Sequence, residues 1–153
     1  MRIYLPLTDL DRRTLEIAGT RVDLDAGRAA WAVTAEARAD RPGEDEEDLE
    51  YEALQDAVHI AFGAGPSSAR ALVIAADVPE GAPSPAAEDA GVFGVVLREA
   101  TSARIASLHV TEQNAAAADA DDTDPALLWF DTSEATDALA YLDAAARDAA
   151  PGS

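Results

Sequence analysis

Ala71-Leu72-Val73-Ile74-Ala75-Ala76 is six apolar residues in a row, closed by Asp77-Val78-Pro79. A half-exposed strand alternates apolar and polar residues, and this run does not. It reads as an interior strand covered on both faces, which places a sheet between layers. Working upstream, Leu49, Ala53, Leu54, Ala57, Val58, Ala61 and Phe62 recur at spacings of three and four. That is the stripe of an amphipathic helix, ended by Gly63 or Gly65. Before it, Arg41-Pro42-Gly43 breaks the chain, and Ala30 to Ala35 is expected to form a strand with Trp31 and Val33 on one face. Arg2 to Leu5 is a short strand closed by Pro6. Thr8 is placed to cap a helix through Leu10, Leu15 and Ile17 that stops at Gly19, with Asp9 and Asp11 near its positive end. Arg21 to Gly27 reads as either a strand or a loop.

Downstream, residues 79–91 hold three prolines, two glycines and three acids, among them Glu88, and read as a surface loop. Val92 to Leu97 and Arg104 to Val110 are expected as strands. Arg98 to Ala103 would join them as a hairpin, although it lacks an Asn-Gly turn. Glu112 to Ala120 reads as a short alanine-rich helix and Asp121 to Pro125 as an acidic loop. Leu127 to Phe130 is a last strand, and Thr132 or Ser133 caps a final helix carrying Leu139 and Leu142. Pro151-Gly152-Ser153 is a loose end. The expected architecture is a single α+β or α/β domain over residues 1–150. It has a mixed sheet of five or six strands and about four helices on one or both faces. Ile3-Tyr4-Leu5 before Thr8 echoes Leu128-Trp129-Phe130 before Thr132, so a ferredoxin-like arrangement of two strand-cap-helix units is one candidate.

The 153 residues suit one domain with its own core. Apolar residues make up 48%, but aromatics only 5%, so the core is built of small side chains. Thirty acidic residues face eleven arginines, with no lysine, for a net charge of −19. Such a chain repels nucleic-acid phosphates and anionic membrane surfaces and leaves basic proteins as partners. There is no cysteine, hence no disulfide, thiolate nucleophile or zinc–thiolate site. No stretch approaches the roughly 18 apolar residues of a membrane span. Met1-Arg2-Ile3-Tyr4-Leu5-Pro6 does not open a leader, so the expected compartment is the cytoplasm.

No motif fixes a reaction. Gly63-Ala64-Gly65-Pro66-Ser67-Ser68 follows a helix and precedes a strand, the reverse of a phosphate-binding loop, and Pro66 removes an amide. His59 and His109 are the two histidines, and their spacing calls for no metal. His109 is expected to share a strand face with Ser107 and Ile105. Asp77 and Asp131 each follow an apolar strand, where ligands of open sheets collect. The structural alternatives are an Asx turn before Pro79 for Asp77 and a helix cap for Asp131. No serine stands in a nucleophile elbow. Glu44, Asp45, Glu46, Glu47, Asp48, Glu50 and Glu52 form the densest acidic segment. They read either as a solvated helix N-terminus or as a docking patch for a basic surface, and they lack the pattern of a calcium loop.

Arg2-Ile3-Tyr4-Leu5-Pro6, the acidic run Glu44 to Tyr51 leading into Ala53-Leu54, and Val73-Ile74-Ala75-Ala76-Asp77-Val78-Pro79 together resemble a known family, as does Leu127-Leu128-Trp129-Phe130. It is a family of uncharacterised small acidic proteins from high-GC Gram-positive bacteria. The resemblance implies a bacterial cytoplasmic setting and brings no activity, cofactor or catalytic residue.

Two functions follow as expectations. The first is a non-enzymatic binding protein whose acidic surface engages a basic protein, with a nucleic-acid mimic as a narrower variant. The alternative is a small enzyme or ligand-binding domain with a strand-end pocket near Asp77, His109 and Asp131. A third reading of the charge is adaptation of the whole surface to salt. Neither cofactor nor oligomeric state is indicated.

Overall fold

The computed structural model describes residues 1–86 and 90–148. The described residues form eight strands and five helices. In chain order these are β1 (Arg2–Pro6), α1 (Asp9–Glu16), β2 (Arg21–Leu24), β3 (Ala29–Trp31), α2 (Ala35–Asp40), α3 (Glu46–Gly63) and β4 (Leu72–Asp77). There follow β5 (Pro83–Pro85), β6 (Gly94–Leu97), β7 (Thr101–Thr111), α4 (Ala115–Asp119), β8 (Leu127–Phe130) and α5 (Ala135–Asp148). Pro151-Gly152-Ser153 and Glu88 lie outside the described residues. Among those residues no helix is long and apolar enough to cross a membrane.

The strands form one open sheet in the order β2-β7-β4-β1-β3-β6-β5, with β8 also on β7. The apolar run is the interior strand its pattern requires: β4 lies between β1 and β7, and Leu72 to Ala76 are all buried. Its side chains serve two cores. Leu72, Ile74 and Ala76 join Ile3, Leu5, Leu108 and Val110 beneath α1 and α5, whereas Val73 and Ala75 join Tyr4, Trp31, Phe93 and Val58 beneath α3. Burying each Val or Ile is worth about 1.5–3 kcal/mol, so this strand joins the two layers.

Several expectations are corrected. The sheet is antiparallel throughout and holds eight strands, not five or six in a mixed sheet. The strands flanking α1, β1 and β2, run in opposite directions with β4 and β7 between them. The split β-α-β unit of a ferredoxin-like fold is therefore not formed, although α1 and α5 do pack together on one face. Part of the expected loop at 79–91 is an edge strand, β5, paired to β6. The expected strand over Ala30 to Ala35 stops at Trp31, because Thr34 accepts a hydrogen bond from the Ala37 amide and starts α2.

The expected hairpin between β6 and β7 is also absent. Arg21 pairs with Arg104 and Trp31 with Gly94, so ten residues forward on one strand match ten residues back on the other. Residues 21–31 and 94–104 thus form one antiparallel ribbon in constant register. Its strands are interrupted between Leu24 and Ala29, where Gly27, at φ +85°, donates to the Leu97 carbonyl at 2.7 Å. One half of the ribbon joins β1 and the other joins β4.

Candidate functional site

The sheet face that carries α3 is covered unevenly. The helix lies over β1, β3 and β4, and a groove of about 310 Å³ opens beside it toward β7 and β8. Its floor is Tyr4, Ala75, Ser107, His109 and Trp129, and its helical wall is Glu47, Glu50 and Tyr51. A second cleft of about 520 Å³ shares Arg2, Tyr4 and Glu50 with it.

Sequence dictates this arrangement in three ways. The register Tyr4↔Ala75↔Ser107 and Val73↔His109↔Trp129 brings alternate residues of four strands to one face. A bulge opposite Ala75/Ala76 then inserts a residue into β7. As a result Ile105 faces the α1/α5 core and Ser107 the groove, contrary to the shared face expected from simple alternation. Finally Gln55 donates to the Pro125 carbonyl at 3.3 Å and to the Tyr51 hydroxyl at 3.1 Å, tying the loop before β8 to α3.

The electrostatics are mixed. Ser107 Oγ lies 2.9 Å from His109 Nε2. Burial pushes the His109 ring down to about 4, with the positive Arg2 acting in the same direction, so the ring is neutral at physiological pH. Tyr4 donates to Glu50 Oε2 at 3.4 Å, and its hydroxyl is held well above its ordinary range by burial and by that carboxylate. Neither Glu47 nor Glu50 forms an ion pair with a described residue. Trp129 is 61% exposed and Tyr51 46%. The groove therefore sets two exposed aromatic rings beside two carboxylates that lack a direct ion pair, with the Arg2 charge acting on Glu50 from the same lining.

His109 supplies a stability test. Its folded value lies below the ordinary value of about 6.5, so on acidification the unfolded chain takes up the proton first. The neutral ring's stabilisation is complete above about pH 6.5 and is lost as pH falls toward 4, on the order of 1 kcal/mol per pH unit. His109→Gln is expected to remove that slope in urea unfolding measured from pH 7 to 4. An unchanged slope would contradict the burial.

The other anticipated residues lie elsewhere. Asp77 is held by Arg2 at 2.7 Å rather than by a turn at Pro79, and that hydrogen bond lowers its carboxyl. Asp131 caps the turn Thr132–Glu134 before α5, and the Ser133 hydroxyl lowers it. Of Asp77, His109 and Asp131, only His109 lines the groove. His59 is exposed on α3 and lines a separate cleft with Gly63, Gly65 and Ser67, the helix-to-strand connection. No group of three His, Asp or Glu fit to hold a metal occurs among the described residues.

The acidic segment divides. Arg38 holds Glu46 at 2.6 Å and Arg41 holds Glu52 at 2.7 Å and Glu44 at 4.0 Å. Asp45 is the N-cap residue of α3 without a side-chain cap bond, and Glu47 and Asp48 fill its first turn. Glu50 turns into the groove. Arg2, Tyr4, Tyr51 and Trp129 were not anticipated as groove residues. Trp129 at the centre of an uncharged strand was the one signal available for them.

Residues 1–139 match the family of unknown function DUF6912. The chain belongs to that family. The match covers β1 to the start of α5, and so every groove residue of this DUF6912 protein. No curated protein and no solved structure matches the chain.

Proposed function

We propose that this chain is a non-enzymatic binding protein that engages a basic segment of another protein at the groove between α3 and β8. The observation that carries the reading is the pairing of exposed Trp129 and Tyr51 with Glu47 and Glu50 around one groove. An arginine or lysine seated there meets an aromatic face and a carboxylate together, each contact worth about 0.5–2 kcal/mol when partly desolvated. The net charge of −19 supports it by drawing a basic partner in and repelling nucleic acid. The same proposal includes the bacterial cytoplasm, the setting implied by composition and the family resemblance.

Calorimetry with an arginine-rich peptide tests this. Binding is expected at low salt, weakened about tenfold near 0.5 M salt, where surface attraction is screened. Trp129→Ala is expected to weaken low-salt binding about three- to tenfold, as the loss of a cation–π contact would. Glu47→Gln combined with Glu50→Gln should do the same. If both variants bind like the parent, the acidic surface at large is responsible and the groove is not the site.

A further inference from the structure

The edge of the sheet at β8 bears on how such a partner attaches. β7 is long enough to hold two strands on one edge, β2 along Thr101–Arg104 and β8 along Leu108–Thr111. β8 pairs with nothing else among the described residues. The Glu112 amide donates to the Ala126 carbonyl at 3.0 Å, in the register that continues into β8. Bonded and non-bonded pairs alternate along an antiparallel ladder. Leu128 and Phe130 therefore point their main-chain groups at β7, and Leu127 and Trp129 point theirs at the free edge.

At four residues, β8 protects that edge by its shortness alone. Natural edges are guarded by charge, proline or a bulge, and Leu127-Leu128-Trp129-Phe130 has none of them within the strand. Charges crowd its flanks instead. Asp121, Asp122 and Asp124 precede it, Asp131 and Glu134 follow it, and Glu47 and Glu50 stand across the groove from Trp129. A second copy of this chain would bring like charges together, whereas a basic strand would meet opposite ones.

We propose that β8 accepts an extended segment of a basic protein as an additional strand, with arginines or lysines at alternate positions facing the groove. This rests on the basic-partner reading above and specifies its geometry. The main-chain groups of Leu127 and Trp129 pair with the incoming strand, and its groove-facing cations lie against Trp129 and reach Glu47 and Glu50.

Fluorescence anisotropy with a labelled peptide of alternating arginine and threonine tests this on the full chain. Two isomers of identical charge carry N-methyl groups at all arginines or at all threonines. In an antiparallel addition the groove-facing arginines direct their amides at β8. Methylation there is expected to weaken binding about tenfold, the effect of losing one or two hydrogen bonds, and methylation at threonines to leave it unchanged. The reverse asymmetry also supports the added strand and makes it parallel. Equal binding of both isomers and the parent peptide overturns strand addition and leaves the basic-partner reading standing. No salt-sensitive binding of the parent peptide overturns both. A stable dimer in sedimentation of the protein alone, dissociated by Trp129→Lys, would also overturn it, since a second copy would then occupy the edge.

Discussion

Phe93→Ala is expected to lower the free energy of unfolding by about 3–5 kcal/mol, the cost of deleting a buried aromatic ring and leaving a void. Phe93 is 2% exposed and heads the fully buried side chains by size. Its cluster holds Tyr4, Trp31, Leu49, Leu54 and Val58, and the Arg41 guanidinium stands 5.8 Å from the ring centre. The surrounding side chains include Ala37, Ala53, Ala57 and Ala75, which are too short to move into the space. A domain of this kind is stable by about 5–15 kcal/mol, so the variant gives up a large share. Urea unfolding should show a lower midpoint at unchanged slope. A loss below about 1 kcal/mol would mean that α3 settles onto the sheet and closes the void. Because α3 also carries Glu47, Glu50 and Tyr51, the same variant should loosen the groove wall.

How much of this was legible in the sequence depended on whether the signal was local. The run Ala71 to Ala76 was, because six apolar residues without alternation suit a strand between two layers. The stripe of α3 was, as was Thr8, whose hydroxyl and the Asp11 carboxylate form a reciprocal capping box. Thr34 carried a comparable cap signal that the apolar alternation around Trp31 masked. β5 was hidden by its own composition. Pro83 and Pro85 argue for a loop, yet an edge strand needs only half of its amides, so prolines are tolerated there. The constant register of the ribbon is a tertiary fact. No residue near Arg98 announces that its strand pairs with residues 21–31.

The site was legible only in fragments. Sequence isolated His109 and its neighbour Ser107, but strict alternation could not foresee the bulge that turns Ile105 away. It found the acidic segment and could not divide it. The division comes from Arg38 and Arg41, in and just beyond α2, a helix not anticipated: Arg38 pairs with Glu46 and Arg41 with Glu44 and Glu52, whereas Glu47 and Glu50 form no ion pair with a described residue. Asp77 and Asp131 were sensible candidates by position. Each has a structural partner, because a carboxylate at a strand end takes up the nearest donor, here Arg2 and Ser133.

Arg28→Met is expected to cost about 3–5 kcal/mol, since it strands a buried carboxylate. Asp11 is 1% exposed, and Arg28 reaches it with both guanidinium ends, Nη2 at 2.8 Å and Nη1 at 3.4 Å. Nη2 also donates to the Pro6 carbonyl at 3.0 Å, so one side chain ties the end of β1 to α1. Without it, Asp11 retains the Thr8 amide at 3.2 Å, one donor for a charge out of water. At roughly 2–4 °C per kcal/mol for a domain of this size, the melting temperature should fall by about 10 °C. The partner change separates charge from packing. Asp11→Asn keeps an acceptor for the Thr8 amide and removes the charge, so the double variant should recover part of the loss. The exposed pair Arg38–Glu46 has a shorter contact, 2.6 Å, yet Arg38→Met should cost under about 1 kcal/mol because water screens it. Equal losses for Arg28→Met and Arg38→Met would show that desolvation of Asp11 is not what makes its pairing matter.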